Sequence, residues 1–419
     1  MKAVLSRRLV IFVIAAGFFL LSQFYRASIA VISPHLISDL ALDIKGLSTL
    51  SAAFFYPFAL MQIPLGIYLD HIGPRITMAV LSLAAVFGGL VFAWADSLTT
   101  LTVGRILLGI GMAGNLMGPF KLLTSWFAPA HFATISAIFV TIGATGNMVA
   151  ASPLVVLADV LGWRWTFTLF AIINLLLIIF LLLFVRDRPA SANLPWPVKS
   201  NIDTGFKTML AGLQTLLGKR DYWIISMGTL CRYGVFGAIQ TLWAGPFLMG
   251  VMELSPLKTG HVILLMNTGL ILGGPLWGAL TDHIVKRRKW LVIISLLGMA
   301  TFIATFALLP ANTGIISLSV LFFSFGFFAS AGMIMYAHIK ELMPLSQAGT
   351  AMTGINFFTM IGPAIFLQGL SFFMQRLYPA NALGPAAFKA AFGLCVICLV
   401  GVVFLYAFTK DTRAGIHAR

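Results

Sequence analysis

Four basic residues lie inside long apolar segments of this 419-residue chain: Arg26, Arg105, Lys121 and Arg232. All twelve acidic residues, by contrast, fall at or beyond the ends of those segments. A cation buried in hydrocarbon is costly unless it faces a cavity or a counter-charge. Because the segments contain no acid to neutralise these cations, an anionic ligand is the economical partner. The pattern therefore indicates binding of a small anion.

Arg26 and Arg232 are the best placed of the four for such a site. At 1.5 Å per residue, Arg26 lies about 26 Å along the first predicted helix and Arg232 about 17 Å along the seventh, in the middle third of each. Planar guanidinium groups recognise carboxylates and phosphates through paired hydrogen bonds. We predict that these two arginines bind the substrate, together with the polar residues Gln23, Gln62 and Tyr233. For each polar residue, an interhelical hydrogen bond is the alternative.

The elements that carry these residues are apolar segments long enough to cross about 30 Å of hydrocarbon. The chain is 60% hydrophobic and 9% charged, with a mean hydropathy of +0.99, which excludes an ordinary soluble enzyme. We predict an all-α polytopic membrane protein with twelve transmembrane helices. The predicted spans are 9–37, 47–69, 76–95, 98–127, 131–158, 164–186, 221–250, 257–284, 290–309, 313–341, 347–376 and 384–409.

The spans divide into two groups of six. We predict an N-terminal six-helix bundle over 1–186, a cytoplasmic linker over 187–220 and a C-terminal six-helix bundle over 221–419. Apolar residues at helical spacing within the linker, from Phe206 to Leu217, indicate a short helix on the membrane surface, with a plain loop as the alternative.

The distribution of basic residues predicts the orientation. A net charge of +15 in a soluble protein would suggest nucleic acid as a partner, but in a membrane protein it is expected at cytoplasmic loops. Eighteen basic residues fall on the side that carries both termini, and five fall on the other side: Lys45, Arg164, Lys258, Arg376 and Lys389. We therefore place both termini in the cytoplasm and exclude nucleic acid as a partner.

A glycine- and aspartate-containing string follows the second span and recurs after the eighth. The string G-x-x-x-D-H-I begins at Gly66 and again at Gly278, so the two halves look like copies of one unit. The first copy continues through Gly73-Pro74-Arg75 and resembles the cytoplasmic signature of the major facilitator superfamily. The resemblance implies that superfamily's fold of two pseudo-symmetric six-helix bundles. It assigns a conformational or gating role to Gly66, Asp70, Gly73, Arg75 and Asp282.

Two shorter segments resemble a narrower family. Tyr25-Arg26 followed by Pro34, and Arg232-Tyr233-Gly234-Val235, are similar to the first- and seventh-helix signatures of the organophosphate:phosphate antiporter family. In that family these two arginines bind the phosphoryl group of the substrate. The family's second-helix lysine falls at Gln62 here, and its fifth-helix histidine falls near Thr145 or Gly146. This chain retains the two arginines but lacks the lysine and the histidine that also bind phosphate in that family. The sequence therefore leaves both a carboxylate and a phosphorylated metabolite open as the substrate.

Three further residues have two interpretations each. Arg105, in a segment that resembles the superfamily's fourth-helix arginine motif, either orders the bundle, which we favour, or helps proton movement. Lys121 is a gate residue or a snorkelling lysine. His338 is a residue that titrates near neutral pH or a solvated residue at a helix end.

We predict a secondary active or facilitative transporter, working by alternating access, that moves a small organic anion across a bacterial inner membrane. An exporter of amphipathic drugs or metabolites is the alternative, and a non-transporting membrane sensor is a third hypothesis. The sequence lacks the motifs of a catalytic, cofactor or metal site. We expect a monomer without a cofactor, in which protons or a counter-transported anion couple the transport.

Overall fold

The computed structural model describes residues 2–127, 129–188, 216–285, 287–343 and 345–412. Helices dominate this part of the chain. In the first half they are α1 (Lys2–Ala27), α2 (Ile29–Leu40), α3 (Ile44–His71), α4 (Pro74–Ala93), α5 (Leu98–Met112), α6 (Met117–Trp126), α7 (Pro129–Val149), α8 (Ser152–Leu161) and α9 (Trp163–Phe184). In the second half they are α10 (Arg220–Ala238), α11 (Pro256–Ala279), α12 (Arg288–Leu308), α13 (Ile315–Ala329), α14 (Gly332–Leu342), α15 (Leu345–Leu377) and α16 (Pro385–Tyr406).

The helices confirm the predicted all-α membrane fold. Eleven helical segments of the described chain are long and apolar enough to cross a membrane. The pair Ile138–Val149 and Ser152–Leu161, bent by 46° at a short break, makes a twelfth span if it is counted as one. The helix predicted within the linker falls on 206–217, and nearly all of that range lies outside the described residues.

Several spans contain interruptions that the hydropathy pattern did not predict. The first span, expected as one helix over 9–37, ends at Ala27 and resumes at Ile29. The fourth is broken between α5 and α6, and the tenth between α13 and α14. The seventh span continues from α10 as two π-helical turns, Ile239–Trp243 and Phe247–Val251. Such π segments are rare in soluble and membrane helices and are often found at functional sites.

Packing divides the chain into two compact units. The first unit comprises Met1–Ser28 and Ala53–Thr208, and the second comprises Ile29–Ala52 and Met209–Arg419. The division does not follow the sequence order, because α2 and the start of α3 pack within the second unit. The chain passes from the first unit to the second at Ser28, the residue between α1 and α2.

Apolar side chains fill the interior of each unit and also cover its outer surface. In the first unit, Phe19 of α1 stacks on Phe139 of α7 with ring centroids 5.3 Å apart. In the second, Phe306 of α12 stacks on Phe322 of α13 at 4.5 Å. Large exposed apolar residues such as Ile316 are unsuited to water and suit contact with lipid tails.

A proline and a glycine allow close packing within the second unit. Pro34 of α2 has no N–H to donate to the Ala30 carbonyl, and the Ser33 hydroxyl donates to that carbonyl instead, at 3.2 Å. The seventh span approaches the same carbonyl through Gly245. A Cβ atom added at Gly245 would lie 1.9 Å from the Ala30 oxygen, so only glycine permits this contact.

We expect Gly245→Ala to destabilise the second unit, because its Cβ must push two backbones apart. Overpacking of this kind costs about 1–3 kcal/mol. The measurement is the thermal unfolding midpoint of the purified protein in detergent. Gly250→Ala is the matched control, because a Cβ added at Gly250, in the same span, would have no atom within 4 Å. Equal midpoints for the two variants would contradict the close contact.

Candidate functional site

Arg26 lies in the last turn of α1, directly before the break at Ser28. Its side chain is only 6% exposed, and its guanidinium carbon lies 5.0 Å from the centroid of the Phe58 ring. The face of an aromatic ring attracts a cation, and more strongly when water is excluded. The predicted neighbour Gln23 is half-buried, and its Oε1 atom has no hydrogen-bond partner among the described residues. The structure therefore places these two predicted residues on the same helix, three positions apart.

Arg105 connects α5 to the end of α1. Its Nη1 atom donates a hydrogen bond of 2.7 Å to the carbonyl of Tyr25, and its guanidinium carbon lies 4.9 Å from the Phe54 ring centroid. The side chain has no exposed surface. Carbonyls in the last turn of a helix lack intrahelical donors, and a basic side chain satisfies them well. This contact fits the interpretation in which Arg105 orders the bundle.

Gln62 also contacts a helix end. Its Nε2 atom donates to the carbonyl of Ala113, at 3.3 Å, and to that of Phe58, at 3.4 Å. Ala113 follows directly after α5, at the break in the fourth span. The amide donors of this predicted substrate ligand are thus directed at backbone carbonyls of the first unit.

Arg232 lies in α10, with 7% of its surface exposed. Its Nη1 atom donates to the carbonyl of Ala329, the last residue of α13, and its guanidinium carbon lies 5.7 Å from the ring centroid of the predicted neighbour Tyr233. Its Nε atom is buried and has no hydrogen-bond partner in the described part of the chain. Space for the guanidinium comes from Gly332, where an added Cβ would lie 2.1 Å from the guanidinium carbon.

The motif residues of the first unit form a polar cluster at one end of the spans. Lys121 of α6 forms an ion pair with Asp70 and donates to the Leu69 carbonyl at 2.7 Å. Gly73 precedes α4 with a φ of 93°, and the N–H of Arg75 donates to the Asp187 carboxylate at 2.8 Å. Gly66 is exposed, and an added Cβ there would have no atom within 4 Å. The side chain of Asp282, in the repeat, lies outside the described part of the structure.

Asp187 is a member of this cluster that the sequence analysis did not single out. The sequence feature that could have indicated a role for Asp187 is its position directly after the sixth span, between Arg186 and Arg188. Burial raises the pKa of its carboxyl, although the Arg75 N–H and the charge of Arg75 act in the opposite direction. The carboxylate accepts a hydrogen bond at the N-terminus of α4, where negative charge is favoured by the helix dipole.

His338 of α14 is buried and has both ring nitrogens within hydrogen-bond distance of a partner. Nε2 lies 2.9 Å from the Lys410 carbonyl, and Nδ1 lies 2.8 Å from the Tyr406 hydroxyl. A carbonyl can only accept, so Nε2 carries the proton and Nδ1 of a neutral ring accepts from Tyr406. The imidazole thus links α14 to the end of α16, away from the solvated position that the sequence suggested.

Comparison with known proteins adds an independent observation. Residues 11–367 match the sequence profile of the Major Facilitator Superfamily. The chain belongs to this superfamily. Within the superfamily it is similar to a probable sulfoacetate transporter, SauU, of Cupriavidus necator, with 25% identity over 87% of this chain and 88% of the relative.

Two further relatives come from Bacillus subtilis. A hexuronate transporter is 21% identical over 85% of this chain and 86% of its own length. A glycerol-3-phosphate transporter is 25% identical over 96% and 91%, respectively. Among solved structures, the xylose transporter XylE from E. coli matches this superfamily member with a TM-score of 0.74 and 15% identity, over 97% of each chain. That likeness concerns the fold alone.

We expect Gly332→Ala to displace the Arg232 guanidinium, because its Cβ would occupy the position of that group. The Ala329 carbonyl would lose its donor, and the thermal unfolding midpoint in detergent should fall. Gly278→Ala is the control, since an added Cβ at Gly278 would have no atom within 4 Å. An unchanged midpoint for Gly332→Ala would contradict the packing of Arg232 against α14.

We also expect a pH-dependent contribution to stability from Asp187. Because the pKa of its carboxyl is raised in the folded state, the folded protein binds more protons than the unfolded chain from about pH 4 up to that raised pKa. The contribution of Asp187 to stability therefore falls as the pH rises through this window. The effect is small, since the side chain is half-exposed and screened by water.

The comparison that isolates this contribution is wild type against Asp187→Asn, with thermal midpoints measured in detergent from pH 4 to pH 7. The asparagine retains an acceptor for the Arg75 N–H but has no charge to desolvate. The wild type should lose stability relative to the variant as the pH rises. A relative gain by the wild type would mean that ion pairing outweighs desolvation at this carboxylate.

Proposed function

We propose that this superfamily member is a secondary active or facilitative transporter of a small organic anion, and that Arg26 and Arg232 are its cationic ligands. The observation that carries the proposal is the burial of Arg26 in the first unit and of Arg232 in the second, each beside an interrupted span. Burial in hydrocarbon is expensive for a guanidinium, and such residues mark substrate pathways in membrane proteins. Discontinuous helices are a common setting for the binding sites of transporters.

The positions of the acids support an anionic substrate. Every acidic residue in the described part of the chain lies outside the spans or within two residues of a span end. A transporter of cations would instead need an acid within the apolar part of a span. This distribution favours an organic anion over the amphipathic cations that some drug exporters carry.

The relatives support the same class of substrate. The names of the three relatives refer to sulfoacetate, hexuronate and glycerol-3-phosphate, and each of these compounds is an organic anion. We propose a carboxylate as the first candidate substrate, because Gln62 replaces the lysine of the phosphate-binding family and directs its amide at carbonyls. A phosphorylated metabolite is the second candidate, favoured by the glycerol-3-phosphate relative.

We propose alternating access as the mechanism and a bacterial inner membrane, with cytoplasmic termini, as the location. Proton symport needs a titratable group that can exchange protons during the cycle. Both ring nitrogens of His338 are already hydrogen-bonded, so this residue is a poor candidate for the proton carrier. We therefore favour anion exchange or uncoupled facilitated diffusion over proton symport. Gating is assigned to the motif cluster of Asp70, Arg75 and Lys121. Lys121 joins α6 to the end of α3, and Arg75 joins the start of α4 to Asp187 after α9.

The test is uptake of labelled sulfoacetate, glucuronate and glycerol 3-phosphate by proteoliposomes. We expect Arg26→Ala and Arg232→Ala each to lower the uptake of the accepted anion by at least about thirtyfold, because truncating one member of a buried charge pair costs roughly 2–5 kcal/mol. Arg26→Lys and Arg232→Lys should also fail, since an ammonium cannot form the paired hydrogen bonds of a guanidinium.

Lys258→Gln is the control, because Lys258 is an exposed cation in the first turn of α11. Each variant is checked for expression and for its unfolding midpoint, so that a folding defect is not mistaken for a loss of binding. Normal uptake by both arginine variants would refute the proposed ligands. Uptake of lipophilic cations with no uptake of anions would favour the exporter hypothesis instead.

A further inference from the structure

A cavity with a polar lining lies within the second unit, at the end formed by the first turns of α3 and the last turns of α15. Its volume is about 450 Å³. The lining residues are Lys45, Ser48 and Thr49 of α3, and Gln368, Ser371, Phe372, Gln375 and Arg376 of α15. Residues three and four apart lie on one helix face, so a polar stripe of α3 faces a polar stripe of α15.

The lining of this cavity is polar and carries only positive charge. Seven of the eight residues are polar, two of them are cations, and no carboxylate lines the cavity. The sequence places only five basic residues on its predicted non-cytoplasmic side, and two of these five, Lys45 and Arg376, meet here. The nearest acid along the chain, Asp43, accepts a hydrogen bond from the N–H of Gly46 at 2.7 Å and is not part of the lining.

Hydrogen bonds fix the walls and leave the cations at the opening. The Ser371 hydroxyl donates to the Ile44 carbonyl at 3.3 Å, and the Gln375 amide donates to the Ser371 hydroxyl at 3.0 Å. Ser371 is buried, whereas Lys45 and Arg376 are exposed. A polar wall with exposed cations beside it attracts small anions from solution and raises their local concentration.

We propose that this cavity is a peripheral binding site for small carboxylate anions, in addition to Arg26 and Arg232, and that it collects substrate before transport. The collecting role rests on the proposed function, while the binding of a carboxylate does not. Lys45 and Arg376 supply the charge, and the hydroxyl and amide groups of the wall supply hydrogen bonds. Because the cations are exposed, the affinity should be weak and should fall as the salt concentration rises.

Binding is tested with malonate as the probe, by saturation-transfer NMR on the full-length protein in an uncharged detergent. The background is the Arg26→Ala/Arg232→Ala variant, so that malonate at those arginines does not contribute. We expect saturable binding in this background and an increase of at least about fivefold in the dissociation constant when Lys45→Gln and Arg376→Gln are added. Lys389→Gln, which removes an exposed cation on the same predicted side but outside the cavity, should leave the constant unchanged.

The result that would overturn the proposal is absence of saturable binding in the background, or equal weakening by Lys389→Gln. Failure of the proposed function is distinguishable, because it would appear as normal uptake by the background variant, whatever that variant binds. Unfolding midpoints are measured for the background variant and for the glutamine variants, so that absent binding is counted only for folded protein; Lys45 and Arg376 are exposed.

A lipid headgroup is the other source of anionic oxygen that this cavity could meet, since Phe372 exposes an apolar ring beside it. The NMR measurement is therefore repeated in nanodiscs of phosphatidylcholine and of phosphatidylglycerol. Equal malonate binding in the two kinds of disc supports a site for free carboxylates. Loss of malonate binding only in phosphatidylglycerol, with lipid retention that depends on Lys45 and Arg376, would overturn the proposal in favour of a lipid site.

Discussion

The structure depends on one constraint: backbone carbonyls freed by an interrupted helix need donors where water is excluded. At three of the breaks a side chain from another helix donates to a carbonyl at the end of the broken helix. Arg105 donates to Tyr25 at the end of α1, and Gln62 donates to Ala113 after α5. Arg232 donates to Ala329 at the end of α13. Gln62 and Arg232, two of the predicted substrate ligands, therefore also satisfy carbonyls at the ends of broken helices.

This dual use explains how a guanidinium can be kept in an apolar span. A cation held over an aromatic ring, as Arg26 is over Phe58, or against a helix end, as Arg232 is, is partly stabilised before any ligand arrives. The acids of the described chain lie outside the spans or within two residues of a span end.

The seventh span contains two π-helical turns, and its Gly245 packs closely against Ala30 of α2. Segment 29–52 belongs to the first six-helix half by sequence, but it packs within the second unit. Its boundary at Ser28 directly follows the turn that carries Arg26. The boundary between the two units therefore lies two residues after Arg26, a candidate substrate ligand.

The sequence by itself determined the membrane fold, because twenty apolar residues in a row have no other stable environment. It also singled out Arg26 and Arg232 as candidate ligands, because charge is rare in such segments. It could not determine where the helices break, which carbonyls Arg105 and Gln62 satisfy, or that Asp187 joins the motif cluster. Those features depend on side chains far apart in the chain, such as the 80 positions between Arg105 and Tyr25. Hydropathy indicates whether a segment lies in lipid or in water, whereas only tertiary packing decides which hydrogen-bond donor meets which acceptor.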